Sequence, residues 1–269
     1  MKLILQIADA LYALPLESVV TMIPVTVVAP LPGATKTVRG GLLYRDTVIP
    51  LIETRRLVGN KTSREEHDEL ITTLVQREKE HVEWLDELAS SVKDRREFRK
   101  TTDPRRCAFG MWFYSFKPRD PLISHQLAKF EVPHAAIHAL GTTVTNLCHE
   151  GKHDEAIRQI AEANANEFGH MIKLFGELRA MLQAHIREIA VILKIGTKVT
   201  AIVSDDILGL KNENNFKGQD SQLSSGSDYI ENVVALDGKS VSLLDTDKIF
   251  AIASTVEHDE SATFAAAQA

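Results

Sequence analysis

The chain has 269 residues, 44% of them apolar and 25% charged, which is enough for a sizeable core in one large domain or two ordinary ones. A formal net charge of −6 excludes a generic nucleic-acid binder. Two cysteines make no disulfide framework and suggest a reducing compartment. The first segment, MKLILQIADALYAL, is too short and too interrupted by Asp9 for a signal peptide, and it alternates like a strand. The longest uncharged stretch, 18–35, carries Pro24, Pro30, Pro32 and Gly33, so it is no membrane span and a cytoplasmic protein is expected.

Residues 1–60 are rich in Val, Leu and Thr and punctuated by Pro and Gly, which reads as short strands and turns. From about 62 the period becomes helical. Leu74, His81, Leu85, Leu88 and Val92 fall on one face, and Ser63 with Glu66 fits a capping box. A second long helix is expected over about 153–187, with Ile157, Ile160, Phe168, Met171, Phe175, Leu178 and Leu182 as its apolar stripe. Strands then return around a Gly196-Thr197 turn, followed by a hairpin around Asp237-Gly238 and a short helix in DTDKIFAIA. Residues 211–228 read as a mobile loop and 256–269 as a flexible tail. The order β, all-α, β is most economically one β domain, 1–60 with 188–255, interrupted by a helical insertion at 61–187, because 60 residues alone make a marginal barrel.

Cys107 stands at the mouth of the aromatic run RRCAFGMWFYSF. By itself it could be a buried hydrophobe, half of a disulfide, a nucleophile or a metal ligand. His134 and His138 are four apart, so on a helix both rings leave one face and can grip one ion; Ala135 after His134 rules out the HExxH protease motif. His81 lies on the apolar stripe of the first long helix, three residues before Trp84. Each signal alone has a bland structural explanation. Together, three imidazoles and one thiolate make a complete tetrahedral zinc shell with no open position, which argues against metal-assisted hydrolysis. Cys148, His149 and His153 have a spacing that fits no closed shell, and the basic run at 93–106 reads as a solvated helix end.

The insertion resembles the CZB family, the chemoreceptor zinc-binding domain, across about 66–187. The resemblance rests on His81 with Trp84, then Cys107, Phe109, Gly110 and Trp112, then His134 with His138. It implies zinc ligands at His81, Cys107, His134 and His138, with Cys107 also the redox-sensing residue, and an output responsive to zinc or to oxidants such as hypochlorous acid. Glu78, one turn before His81, is a candidate to orient that ligand. CZB domains dimerise, and the long apolar stripes fit a symmetric homodimer through the insertion.

The β pieces resemble CheW, the coupling protein of bacterial chemotaxis. The stretch VRGGLLYRDTVIPLIETRRLVG at 38–59 is similar to the family's hairpin, with Asp46 in place of a glycine and Glu53-Thr54-Arg55 in place of Asp-Leu-Arg. AIVSDDILGL puts Asp205 at the family's acidic position, and VVALDGKSVSLLDTDKIF is similar to its closing strand and helix. The resemblance implies an α+β multidomain fold: a discontinuous CheW-like double β-barrel of two five-stranded subdomains, interrupted by the all-α CZB bundle. It also implies a non-enzymatic scaffold that docks chemoreceptor tips and the histidine kinase CheA, with Arg45 in the partner-binding region. Nucleic acid and direct membrane insertion are not expected. Two rival readings stand beside it, a Cys107-dependent enzyme and a purely structural zinc scaffold.

Overall fold

A computed structural model describes residues 1–118, 120–184, 188–217 and 227–255. The expected 256–269 tail, and the centre of the expected 211–228 loop, lie outside the described residues. In chain order the elements are strands β1 Lys2–Ile7, β2 Ala10–Pro15, β3 Val19–Pro24, β4 Val28–Ala29, β5 Val38–Tyr44 and β6 Thr47–Ile52, then the short helix α1 Thr54–Leu57. Six helices follow: α2 Ser63–Lys93, α3 Ala108–Ser115, α4 Pro121–Ala128, α5 Glu131–His149, α6 His153–Ala163 and α7 Gly169–Ala184. The chain closes with β7 Ile189–Ile195, β8 Lys198–Ser204, β9 Asp206–Lys211, β10 Phe216–Lys217, β11 Ile230–Leu236, β12 Lys239–Leu244 and α8 Thr246–Ser254. It divides into two compact units, Met1–Glu65 with Arg187–Ala269, and Glu66–Ile186.

The β unit is built from both ends of the chain. One sheet has the order β10-β11-β12-β2-β1-β9 and the other β3-β7-β8-β6-β5-β4. Each therefore has six strands where five were expected. The two-residue strands β4 and β10 account for the surplus; each adds two paired residues to an edge. Strands distant in sequence meet at β1 with β9, β3 with β7 and β6 with β8. Leu3, Leu5, Leu14, Ile52, Val191, Leu193 and Ile202, with Ile249 and Phe250 of α8, form one core, so neither terminal segment has a complete interior of its own. The turns follow the sequence signals. Asp237 and Gly238 both have positive φ, as a type I′ hairpin requires, and Gly196 has φ +58° at the β7–β8 turn.

Buried charge ties the unit together. Arg39 donates to Glu188 from two nitrogens at 2.5 and 2.8 Å, and its Nε donates to Glu53 at 2.7 Å. Arg55 donates to Asp205 at 2.8–3.1 Å, and the same carboxylate accepts the Ala8 amide at 2.6 Å. At the start of α2 a capping box joins Thr62 and Glu65. Thr62 Oγ1 accepts from the Glu65 amide at 3.1 Å, and Glu65 Oε2 accepts from the Thr62 amide at 2.9 Å.

The helical unit buries its expected stripes with one exception. Leu74, His81, Leu85, Leu88 and Val92 are all buried on α2, and Ile160, Phe168, Met171, Phe175, Leu178 and Leu182 on the last helical run. Ile157 is 48% exposed instead. The run from α6 to α7 contains a π-helical turn, Asn164–Phe168, whose inserted residue shifts the buried face, so α6 buries Ala156 and Ile160.

Candidate metal centre

Three separate segments deliver the four expected donors. α2 carries His81, the N-cap of α3 is Cys107, and α5 carries His134 and His138 one turn apart. One donor atom from each residue lies within 4.8 Å of every other. The Cys107 sulfur is 3.2 Å from His134 Nε2 and 4.0 Å from His81 Nε2. The three histidines are 0–3% exposed. Phe109 meets His81 and His134 edge to face, at centroid distances of 5.6 and 4.9 Å.

Backbone carbonyls aim the rings. His81 Nδ1 lies 2.7 Å from the Arg77 carbonyl oxygen, so this nitrogen donates and Nε2 keeps its lone pair for the centre. His138 Nδ1 lies 3.2 Å from the Thr101 carbonyl, with the same result. Trp84 Nε1 donates to that same carbonyl at 2.8 Å, so the tryptophan three residues after His81 fixes the acceptor that orients His138. Gly141 on α5 leaves room for it, since a Cβ there would lie 2.9 Å from the Trp84 ring.

The cysteine block has an equally local cause. Cys107 caps α3, and its sulfur accepts the Gly110 amide at 3.1 Å. A Cβ on Gly110 would fall 1.7 Å from the Pro104 carbonyl oxygen, so only glycine lets this turn close. Trp112 packs on Phe109 and stacks on Phe116, extending the apolar wall away from the donors.

Electrostatics leaves the imidazoles neutral. Burial, then the neighbouring His81 and His138 rings, push His134 down to about 3. Burial and His81 push His138 down to about 4. Burial also lowers His81. For Cys107, burial raises the thiol, against the opposing pull of the Gly110 and Phe109 amides. Neutral imidazoles with inward lone pairs are what a metal ion needs, and a bound cation would draw the proton from the thiol. His138 Nε2 is buried with no hydrogen-bond partner, and so is His134 Nδ1. A buried acceptor left open in an apolar cage is costly, and a metal ion at the centre would satisfy the one on His138. The donor set of three nitrogens and one sulfur therefore fits zinc.

Two family models match the chain. The CheW-like domain matches residues 2–82, and the chemoreceptor zinc-binding domain, CZB, matches residues 81–145. The chain carries a CheW-like domain followed by a CZB domain. The CZB match begins at His81 and encloses all four donors. No curated protein matches the chain. Among solved structures, the scaffolding protein TtCheW from Thermoanaerobacter tengcongensis matches at 9% identity and a TM-score of 0.40, over 91% of this chain and 87% of that one.

The other expected residues are placed as follows. Glu78 pairs with Arg179 of α7, and the oriented nitrogen of His81 meets the Arg77 carbonyl, so the positioning group expected at Glu78 is a backbone oxygen one residue earlier. Arg45 is exposed in the β5–β6 turn with φ +46°, its guanidinium 5.3 Å from the Tyr44 ring centroid. Asp46 beside it has φ +63°, a conformation that aspartate tolerates where the family pattern has glycine. Glu53 is buried against Arg39. Among the described residues, Cys148, His149 and His153 form no metal-competent group. No described helix is long and apolar enough to cross a membrane.

Proposed function

We propose that this chain is a cytoplasmic, non-enzymatic chemotaxis scaffold. In this reading residues 1–60 and 188–255 form one discontinuous CheW-like domain of double-barrel type that docks the histidine kinase CheA and chemoreceptor tips, with the exposed Arg45 at the partner-binding face. The insertion at 61–187 holds zinc through His81, Cys107, His134 and His138 and reports zinc level or oxidant. The observation that carries the reading is the convergence of four donors from three segments, in a unit whose two ends both lead into the same β unit.

When bound, zinc supplies a positive charge that keeps Cys107 as thiolate, the form that oxidants attack. Towards hypochlorous acid, the thiolate sulfur attacks chlorine and releases hydroxide. Water then displaces chloride from sulfur, leaving a sulfenic acid and a proton. A sulfenic acid is a poor ligand, so α5 loses its tie through Cys107 to α2. Val75 and Val82, exposed at 51% and 40% one heptad apart on α2, support a homodimer through the insertion. Burial raises the Cys107 thiol, which does not favour the Cys107-nucleophile alternative.

The test is titration of a receptor cytoplasmic fragment and CheA with zinc-loaded, zinc-free and hypochlorous-acid-treated protein. Docking should differ between forms by about 5- to 150-fold, the range of ordinary coupling energies. Equal docking by all three forms would leave the insertion a zinc-stabilised scaffold. Absence of docking in every form would remove the CheW-like role.

A further inference from the structure

The β unit contains a cavity of about 570 Å³, within the size range of small-molecule sites, and none of the chemistry above uses it. Its wall is rich in hydrogen-bond donors. Lys36, Arg39, Arg56 and Arg64 line it, with the hydroxyls of Thr26 and Thr62. The one acid in the wall, Glu53, gives Oε2 to Arg39, and its Oε1 is buried without a partner.

The partners of each cation determine what is left over. Arg39 commits its guanidinium to Glu53 and Glu188. Arg56 meets Glu65 through a single nitrogen. Arg64 lies 3.6 Å from Glu188, beyond hydrogen-bond reach, and is half exposed. Lys36 pairs with no carboxylate among the described residues. Thr62 Oγ1 accepts from the Glu65 amide, so its own proton is free to donate into the cavity. Four cations thus face three carboxylates, with an ammonium, parts of two guanidinia and two hydroxyls still available. The remaining wall is apolar: Val27, which is 74% exposed, with Val28 and Pro30.

We propose that this cavity binds a small organic oxyanion, a compact phosphate monoester on an apolar body, with the oxygens on Lys36, Arg56, Arg64 and Thr62 and the body against Val27 and Pro30. Phosphate suits it because several donors approach from different elements, and each of its oxygens accepts more than one bond. An apolar body suits it because the cavity is far larger than an inorganic ion, and Val27 otherwise faces water.

The probes are phenyl phosphate, inorganic phosphate and phenol, titrated calorimetrically into the full-length, zinc-loaded chain at fixed ionic strength. Phenyl phosphate should bind in the millimolar range or tighter, inorganic phosphate more weakly, and phenol not at all. Lys36→Ala removes an exposed side chain, so the fold should persist, and it should weaken phenyl phosphate by about tenfold or more. Lys173→Ala, an equal charge change in the helical unit, should leave affinity unchanged. Val27→Ser should weaken phenyl phosphate and spare inorganic phosphate. Absence of phenyl phosphate binding, equal losses in the two lysine variants, or phenol binding as well as its phosphate would each overturn the proposal.

Discussion

In the helical unit His81, His134 and His138 are buried among Phe109, Phe130 and Phe175, and nitrogens of His134 and His138 meet no partner. In the β unit Glu53 and Glu188 are buried and Arg39 is largely covered, but they pair with one another, and of this set Glu53 Oε1 alone is left open. Both sets place polar groups in a core, at opposite ends of a choice. A closed set of charges is self-sufficient, and its members hold distant segments together. An open set of neutral donors is unstable by itself and calls for an ion. Unsatisfied buried groups each cost about 1–3 kcal/mol, so the open His138 Nε2, with three further donors converging on the same point, indicates a ligand more strongly than burial alone does.

The largest effect expected from this contrast is metal removal. Structural zinc sites contribute about 10–16 kcal/mol in small zinc-binding peptides, so chelation should destabilise the helical unit and leave the β unit's own transition in place. Cys107→Ala should weaken zinc by more than the roughly 10- to 100-fold that loss of an outer hydrogen-bond partner costs, whereas Cys148→Ala should change it little. Zinc stoichiometry by native mass spectrometry, with calorimetry of each variant, reads both. Equal zinc loss in the two cysteine variants would break the assignment of an open site to these four residues.

A smaller effect is expected when the closed set is opened. Arg39→Ala strands Glu53 and Glu188 as two buried carboxylates, a change that costs about 3–5 kcal/mol in buried ion pairs. Glu188→Gln retains a hydrogen-bonding group and should cost less. Denaturant unfolding should show the β-unit transition moving to lower concentration, with zinc affinity unchanged. A change in zinc affinity on Arg39→Ala would mean that the two sets do not act separately.

The two sets also differ in how far sequence reveals them. The donors at 81, 107, 134 and 138 lie in local patterns: a helical stripe, a glycine three residues after a cysteine, and a four-residue histidine spacing. Each pattern has a local structural cause, in α2, the α3 cap and α5. The carbonyls of Arg77 and Thr101 that orient the rings leave no mark in sequence, because every residue has a carbonyl; Glu78 has suitable chemistry but pairs with Arg179 instead. The Arg39–Glu188 and Arg55–Asp205 pairs join residues 149 and 150 apart, and no spacing rule reaches that far. Strand positions and turns are legible from Pro, Gly and Asp-Gly signals, but the pairing of β1 with β9 and of β3 with β7 is not. The exposed Ile157 traces to a π turn that ordinary helical periodicity cannot express.

The smallest effect is a count of protons, and it tests the open set most finely. His134 and His138 ordinarily titrate near 6.5 and are held at about 3 and about 4 in the folded, metal-free chain. Their folded values lie below their unfolded ones, so between those values the unfolded state binds more protons. Stability of the metal-free helical unit should therefore be complete above 6.5 and fall as pH drops below it, by up to about 1.4 kcal/mol per pH unit for each histidine. The Cys107 thiol, raised by burial, stays protonated at neutral pH. Zinc uptake at pH 7 should then release about one proton, from Cys107 alone, because the histidines have none to give. Calorimetric titration in buffers of different ionisation enthalpy measures that number directly. A count of two or more would mean that a histidine is charged before the metal arrives, and that the cage of Phe109, Phe130 and Phe175 admits enough water to solvate it.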